Sequence, residues 1–204
     1  MHQDDIEKQV DNYKINYIPD ENKPPKNHKK YVILNVVLFS LCAVLLVLLI
    51  VFTAVFTTVK VSGDSMYPTL KNGDRIFLQI SGYDYTYGDI VVFTRTDSEG
   101  KSVNAVKRVI ALGGDTVSFD RENNKWLVNG NPIDEPYFNG EYSSNYFDKT
   151  DDTAIYDGGI TIPENCLFVL GDNRNIPGGS LSVDSHIYGP IPAASVVGKV
   201  LRVF

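Results

Sequence analysis

Cysteine and histidine are scarce in this chain of 204 residues. Its two cysteines are too few for a disulfide framework. Cys42 lies within a long apolar run and Cys166 far downstream, so we expect no bridge between them. The three histidines, His2, His28 and His186, fall in separate regions, and none has ligand spacing to a cysteine or carboxylate cluster. The sequence therefore predicts neither a metal site nor a cofactor.

An excess of basic residues is also lacking. The net charge is -6, and residues 1–30 contribute nothing to it because their six lysines balance six acids. The net negative charge therefore lies in residues 31–204, which argues against a nucleic-acid partner.

The length of the chain allows a membrane anchor and one domain large enough to bury its own core.

Charge is wholly absent from Val32 to Val59, a run of 28 residues with Asn35 as its one strongly polar residue. About 20 apolar residues in a helix cross a bilayer, so we predict one transmembrane anchor within residues 31–59. The β-branched residues at 57–59 indicate that the helix ends near 52–56 and that the chain leaves the bilayer extended. A cleaved signal peptide would have a shorter apolar core and a small-x-small site, which Thr-Thr-Val-Lys does not provide.

Residues 1–30 are polar, contain three prolines and show no sustained apolar period, which predicts a cytoplasmic tail. Four lysines without an intervening acid, Lys23, Lys26, Lys29 and Lys30, stand just before the apolar run. By the positive-inside rule the N-terminus is cytoplasmic. The prediction is thus a single-pass protein of the cell membrane, in contact with the lipid bilayer, with residues 60–204 outside.

Short β-rich runs separated by turns fill the region after Lys60, and no convincing amphipathic helix interrupts them. Glycine-containing turn signals, such as Asn129-Gly130, separate the runs. We therefore predict an all-β domain of mostly antiparallel sheets over 60–204. Residues 134–157 are the least regular and predict a variable surface excursion; its aromatic residues would form a protein-binding surface or pack beneath the loop.

Ser65 lies in a Gly/Pro-framed turn, Val61–Leu70, directly after the anchor, and is the candidate nucleophile. A serine hydroxyl needs a base within hydrogen-bond reach and a donor for the oxyanion. The G-x-S-x-G elbow of α/β-hydrolases is absent because Tyr67 stands where its second glycine should be. Activation must come from another residue.

Lys107 is the candidate base. It lies next to Arg108 in a strand-like run, so the two side chains face opposite ways. A lysine among Ala105 and Val109 would be desolvated, which lowers its pKa from about 10.4 and favours the neutral amine. The alternative is a lysine that extends from a strand edge into solvent.

A third stretch, Gly171–Arg174 followed by Ser182–His186, is dense in hydrogen-bonding side chains and follows an apolar strand. Such a segment suits residues that orient a base. It is equally compatible with a well-capped turn containing ion pairs.

In this order, behind the anchor, the three stretches resemble the type I signal peptidases in their short Gram-positive form, from the anchor to Phe204. Ser65-Met-Tyr-Pro-Thr-Leu70 is similar to the family's nucleophile motif and Lys107-Arg-Val109 to its general-base motif. Gly171-Asp-Asn-Arg174 with Ser182-x-Asp184-Ser185 is similar to its third motif.

The resemblance implies a Ser-Lys dyad in which Ser65 is the nucleophile, Lys107 the base and the backbone N–H of Ser65 the oxyanion donor. Met66 would wall the substrate pocket. The resemblance also implies supporting roles for Ser182, Asp184, Arg108 and Asp172: Ser182 would orient the lysine amine, and Arg108 would pair with Asp172 away from the dyad.

The chain departs from the family pattern near the third motif. About five extra residues within Ile176–Leu181 precede Ser182, so Ser180 is a rival for its role, and His186 replaces the expected arginine near Asp184. Gly63 stands where Gram-negative members carry a serine that assists the oxyanion.

The predicted function is that of a serine endopeptidase that removes N-terminal signal peptides from exported preproteins with small residues at -1 and -3. A non-enzymatic or pilus-dedicated assembly factor of the same fold is the alternative. A self-cleaving repressor-type protease is disfavoured by the membrane span. Ser98-x-x-Lys101 matches the S-x-x-K motif of penicillin-recognising enzymes, but that motif opens a helix and Gly100 lies in a polar link between strand-like runs. His186 could also be considered as a base for Ser65, but a lone histidine beside Asp184 is more typical of a polar turn.

Overall fold

The computed structural model describes residues 7–9, 27–97, 99–138, 142, 155, 158–175 and 183–204. The chain divides into two compact units between Ile50 and Val51, and each is described by itself.

Helix α1 spans His28–Val55, and its 28 residues give a length of about 42 Å at 1.5 Å per residue. It is long and apolar enough to cross a membrane. Its side chains from Tyr31 to Ala54 are exposed, and such an apolar exposed surface is typical of a helix that contacts lipid. The helix ends within the predicted window of 52–56, and its start takes in residues 28–30, which the sequence had assigned to the tail.

Eleven strands follow α1 in the part of the chain that the structure describes. They are β1 (Phe56–Lys60), β2 (Arg75–Gln79), β3 (Ile90–Thr96), β4 (Ser102–Leu112), β5 (Thr116–Asp120), β6 (Lys125–Val128), β7 (Asn131–Pro132), β8 (Ile160–Thr161), β9 (Cys166–Leu170), β10 (Ile191–Pro192) and β11 (Val196–Val203). Short helix α2 covers Ser185–Tyr188, and one 3-10 turn covers Ala193–Ser195.

Two sheets result from this order. The larger has seven strands in the order β1-β2-β11-β3-β4-β9-β10, and the smaller has four in the order β7-β6-β5-β8. Each described strand pair is antiparallel. The predicted all-β, mostly antiparallel fold with one N-terminal apolar helix is therefore confirmed.

The residues just after the helix belong to the larger sheet. The predicted anchor extends to residue 59, whereas Phe56–Lys60 pairs with Arg75–Gln79 as strand β1. Threonine and valine at 57–59 suit a strand, and pairing satisfies the backbone groups that a helix would otherwise bond internally. The aromatic rings of Phe56 and Phe77 stack across this pair at 5.3 Å.

Aromatic residues fill the core of the smaller sheet. Trp126 packs against Phe119 and Phe168, with ring centroids 5.2 and 5.5 Å away. Ile155, from the predicted excursion, joins this core, and Tyr142 packs against it through Phe119 at 5.6 Å. These two excursion residues therefore pack inward, whereas Tyr146 and Phe147 lie outside the described residues.

Gly198 provides a test of the close approach between β11 and β2. A Cβ atom at this position would lie 2.9 Å from the backbone oxygen of Gln79, so Gly198→Ala forces the strands apart. We expect a loss of about 1–3 kcal/mol in the free energy of unfolding. Denaturation of the full chain in detergent, followed through its one tryptophan, Trp126, measures it. Val197→Ala, on the exposed neighbour, is the control, and equal stability of both variants would contradict the packing described.

Candidate active site

The turn that carries Ser65 is fixed by the segment that follows β9. The backbone N–H of Asn173 donates to the carbonyl oxygen of Ser65 at 3.0 Å, and its side-chain amide donates to the carbonyl oxygen of Asp64 at 3.0 Å. Met66, 1% exposed, inserts into the core beside Leu70. The turn is thus held on one side by two hydrogen bonds from Asn173 to its carbonyl oxygens and on the other by apolar packing, while Ser65 stays half-buried.

Lys107 is the buried lysine of strand β4, with 3% of its surface exposed. It stands opposite Val91 of β3, on the face away from its neighbour Arg108. Burial lowers the pKa of its amine to about 8, because desolvation penalises the ammonium form. The carboxylates of Asp184 and Asp172 oppose this shift, and the guanidinium of Arg95 adds to it. A substantial fraction of the amine is consequently neutral near physiological pH.

Ser65 and Lys107 line one cavity of about 220 Å³. Its walls come from the segment 59–66 on one side and from strands β3 and β4 on the other. The apolar part of the wall is made by Val59, Val61, Met66, Val92, Ala105, Val106 and Val183. A larger cavity, of about 440 Å³, lies elsewhere, and neither Ser65 nor Lys107 lines it.

Strand β4 changes partners along its length. Residues 102–108 pair with β3, whereas pairing with β9 on the opposite edge begins only at Arg108. Within the described chain, the second edge of residues 102–107 therefore has no strand partner. This edge reaches the cavity at residues 104–107, so an extended peptide can add to the sheet beside Ser65.

Arg108 and Asp172 form an ion pair away from the cavity. The guanidinium donates to both carboxylate oxygens, at 2.9 and 2.6 Å, and also to the carbonyl oxygen of Gly88 at 2.8 Å. The ring of Tyr137 lies 4.0 Å from the guanidinium carbon. This two-point geometry ties β4 to the segment that holds the serine turn.

Asp184 caps helix α2 and is fully buried. Its carboxylate accepts from the backbone N–H of Gly171 at 2.9 Å and contacts Nδ1 of His186. Burial alone would raise the pKa of Asp184, but His186, Lys107 and the Gly171 N–H together keep it below its usual value. His186 thus occupies the place at Asp184 for which the resemblance implied an arginine.

The structure places three sequence-predicted residues, Ser65, Lys107 and Met66, on one cavity, and the carboxylates of Asp184 and Asp172 act electrostatically on the lysine amine. Arg108 lies on the opposite face of β4. Ser182 and its rival Ser180 lie outside the described residues, so the side chain that orients the lysine stays a prediction.

Sequence reasoning missed two residues of the site. Asn173 lies within the third motif, but the sequence did not predict its two hydrogen bonds to the serine turn. The bond to Asp64 joins residues 109 positions apart and has no local sequence signal. Arg95 lines the cavity from β3. Its register with β4 could be inferred only once the pairing of these strands was known.

A serine in a fixed turn and a buried lysine on one cavity are the parts of a Ser-Lys hydrolase site. Residues 33–204 match the family described as "Signal peptidase, peptidase S26", and the chain belongs to this family. Family membership indicates the removal of signal peptides and a serine endopeptidase as its activity class.

Two signal peptidases agree with this assignment by sequence. Signal peptidase IB of Staphylococcus aureus is 35% identical over 173 residues, which cover 80% of this chain and 85% of that protein. Signal peptidase I S of Bacillus subtilis is 39% identical over 135 residues, 65% of this chain and 69% of that protein. A crystal structure of a signal peptidase I from Enterococcus faecalis is 30% identical and covers 60% of this chain and 100% of that one, with a TM-score of 0.42.

Burial of Lys107 predicts a pH-dependent cost in stability. The unfolded chain binds the proton with a pKa near 10.5 and the folded chain with a pKa of about 8, so charging the amine opposes folding. The penalty is complete below pH 8 and is relieved as the pH rises toward 10.5. Lys107→Met should therefore melt at a higher temperature than the wild type at pH 7, with a difference that shrinks between pH 8 and 10.5.

Thermal denaturation of both proteins in the same detergent across this pH range measures the effect. Lys125→Met, at an exposed lysine that begins β6, controls for loss of a charge. A wild type as stable at pH 7 as the Lys107→Met variant would contradict the cost of burial.

Proposed function

We propose that this protein is a membrane-anchored signal peptidase that cleaves exported preproteins with a Ser65-Lys107 dyad. The observation that carries the proposal is the placement of Ser65 and a 3% exposed Lys107 on one cavity beside the open edge of β4. A buried amine with a pKa of about 8 is suited to accept a proton from a serine hydroxyl. Membership of the signal peptidase family supports the same reaction.

The reaction proceeds by acyl transfer. Neutral Lys107 takes the proton of Ser65 while Oγ forms a bond to the scissile carbonyl carbon, and the backbone N–H of Ser65 donates to the resulting oxyanion. When the C–N bond breaks, the lysine ammonium gives its proton to the leaving amine. Lysine then activates a water molecule, which hydrolyses the acyl-enzyme and releases Ser65.

Substrate binding follows from the open edge of β4. An extended segment of the preprotein adds to residues 102–107, and its side chains alternate between the two faces of the sheet. The side chains at -1 and -3 enter the apolar part of the cavity, where Met66, Val92 and Val106 form the wall. A cavity of about 220 Å³ leaves room for small side chains there, in agreement with the preference that the resemblance implies.

Helix α1 anchors the enzyme in the cell membrane as a single span. The four lysines at positions 23–30, before the helix and in its first turn, keep the N-terminus in the cytoplasm, and the β domain lies on the outer side. Enzyme and exported substrate then meet on one surface of the lipid bilayer. Confinement to that surface supports cleavage even where the side-chain contacts at the site are few.

Loss of either dyad member should abolish cleavage. Ser65→Ala removes the nucleophile and Lys107→Ala removes the base, and each should lower kcat by at least about 10³-fold. Cleavage of a preprotein by the full chain in detergent measures the effect. Ser81→Ala and Lys125→Ala, which lie outside the cavity-lining set, are the matched controls. Appreciable cleavage by either dyad variant, at an unchanged site in the substrate, would remove the residue from the mechanism.

The dependence of the cleavage rate on pH should follow the pKa of the Lys107 amine. Activity requires the neutral amine, so kcat/KM should fall tenfold per pH unit below the pKa of about 8, and at pH 6 it should be about 100-fold below its plateau. Initial rates on one peptide between pH 5.5 and 10 measure the profile. A rate that stays level down to pH 6 would exclude Lys107 as the base.

A further inference from the structure

The charges on the candidate active-site cavity are all of one sign. Its described lining contains Lys60, Arg95 and Lys107 and no carboxylate. Lys107 is neutral in the form that the proposed mechanism uses, which leaves Lys60 and Arg95 as cations. In a chain with a net charge of -6, this concentration of positive charge at the reaction centre favours an anionic group on whatever occupies the cavity.

Arg95 is the cation on the same face of the sheet as the lysine amine. In the β3-β4 ladder Arg95 stands opposite Val103, and Val91, four residues earlier in β3, stands opposite Lys107. Side chains four residues apart in a strand point the same way, so Arg95 and Lys107 share a face with Ala105. The guanidinium also lowers the pKa of Lys107, which places the two groups within electrostatic reach.

Arg95 has no carboxylate partner among the described residues. Its guanidinium lies over the ring of Tyr188 at 5.8 Å, and one nitrogen donates to the carbonyl oxygen of Thr96 at 3.4 Å. The other arginines of the site differ: Arg108 is paired with Asp172 and Arg174 with Glu135. Aromatic contact holds the Arg95 side chain while leaving its donors available to a ligand.

The alternation of an extended substrate assigns its side chains to the two faces. Val92 and Val106 stand opposite each other on the apolar face, which receives the side chains at -1 and -3. The side chains at -2 and -4 consequently project to the opposite face, on which Ala105 and Arg95 line the cavity and Arg95 supplies the charge.

We propose that Arg95 is a specificity-determining residue that favours substrates with an aspartate or glutamate side chain at -2 or -4. This inference rests on the proposed function, because it uses the substrate orientation set by the dyad. The carboxylate would pair with the Arg95 guanidinium, which has no carboxylate partner among the described residues, and a lysine at the same substrate position would be repelled.

The test compares substrates that differ at a single position. Peptides with alanine at -1 and -3 carry glutamate, glutamine or lysine at -2, or the same three residues at -4, and kcat/KM is measured with the full-length enzyme in detergent. We expect the wild type to prefer glutamate over glutamine by about three- to fivefold at one of these positions, the size of a partly exposed ion pair. The preference should weaken as salt is added.

Substitutions of Arg95 test directly whether this residue causes the preference for glutamate. Arg95→Gln should bring the glutamate-to-glutamine ratio to one, Arg95→Lys should retain part of the preference, and Arg95→Glu should reverse it in favour of lysine. Arg121→Gln removes an equal charge from an exposed turn after β5 and should keep the wild-type ratio. Cleavage of the glutamine peptides by the Arg95 variants verifies that they fold.

Two outcomes would overturn the inference: a wild-type ratio of one at both positions, or a preference that survives in Arg95→Gln. Either leaves the proposed function intact as long as the glutamine peptides are cleaved by the wild type and not by Ser65→Ala. Failure of the wild type to cleave any of the peptides, or cleavage by Ser65→Ala, would instead count against the proposed function.

Discussion

The desolvation of one amine is the constraint on which the site depends. A lysine in water holds its proton at pH 7 and cannot serve as a base, and only burial makes the neutral form available. Strand β4 achieves this by placing Lys107 opposite Val91, between apolar neighbours. The same burial lowers the free energy of unfolding, and packing elsewhere in the β sheets must offset this loss. The nearby carboxylates of Asp184 and Asp172 moderate the shift.

Two sets of polar contacts keep the serine turn and the base in register. Asn173 fastens the turn through the backbone at Asp64 and Ser65, and the adjacent Asp172 holds Arg108, the residue after the base. One segment after β9 therefore holds the Ser65 turn directly and Lys107 through its neighbour Arg108. A backbone link and a two-point ion pair leave little freedom for the distance between hydroxyl and amine to vary.

Local patterns determined most of the fold in advance. Alternation and turn residues located the seven longer strands from β2 onward, and the uncharged run located α1. The two-residue strands β7, β8 and β10 were missed because so short a segment carries no period. For β1 the sequence predicted an extended chain after the helix but not its pairing with β2. At the site, motif order predicted Ser65 and Lys107, and the structure places both on one cavity. The roles of Asn173 and Arg95 depend on long-range register, which no local window contains.

The edge of β4 at residues 102–107, which has no strand partner in the described part of the chain, has a cost for the protein as a whole. An edge that offers unpaired amide and carbonyl groups is a template for any extended chain, including a second copy of the same strand. Residues 102–106 carry no charge to discourage such pairing. Because backbone groups are alike in every peptide, hydrogen bonding to this edge does not distinguish a substrate from another extended peptide. Discrimination between peptides is therefore left to the side chains that line the cavity.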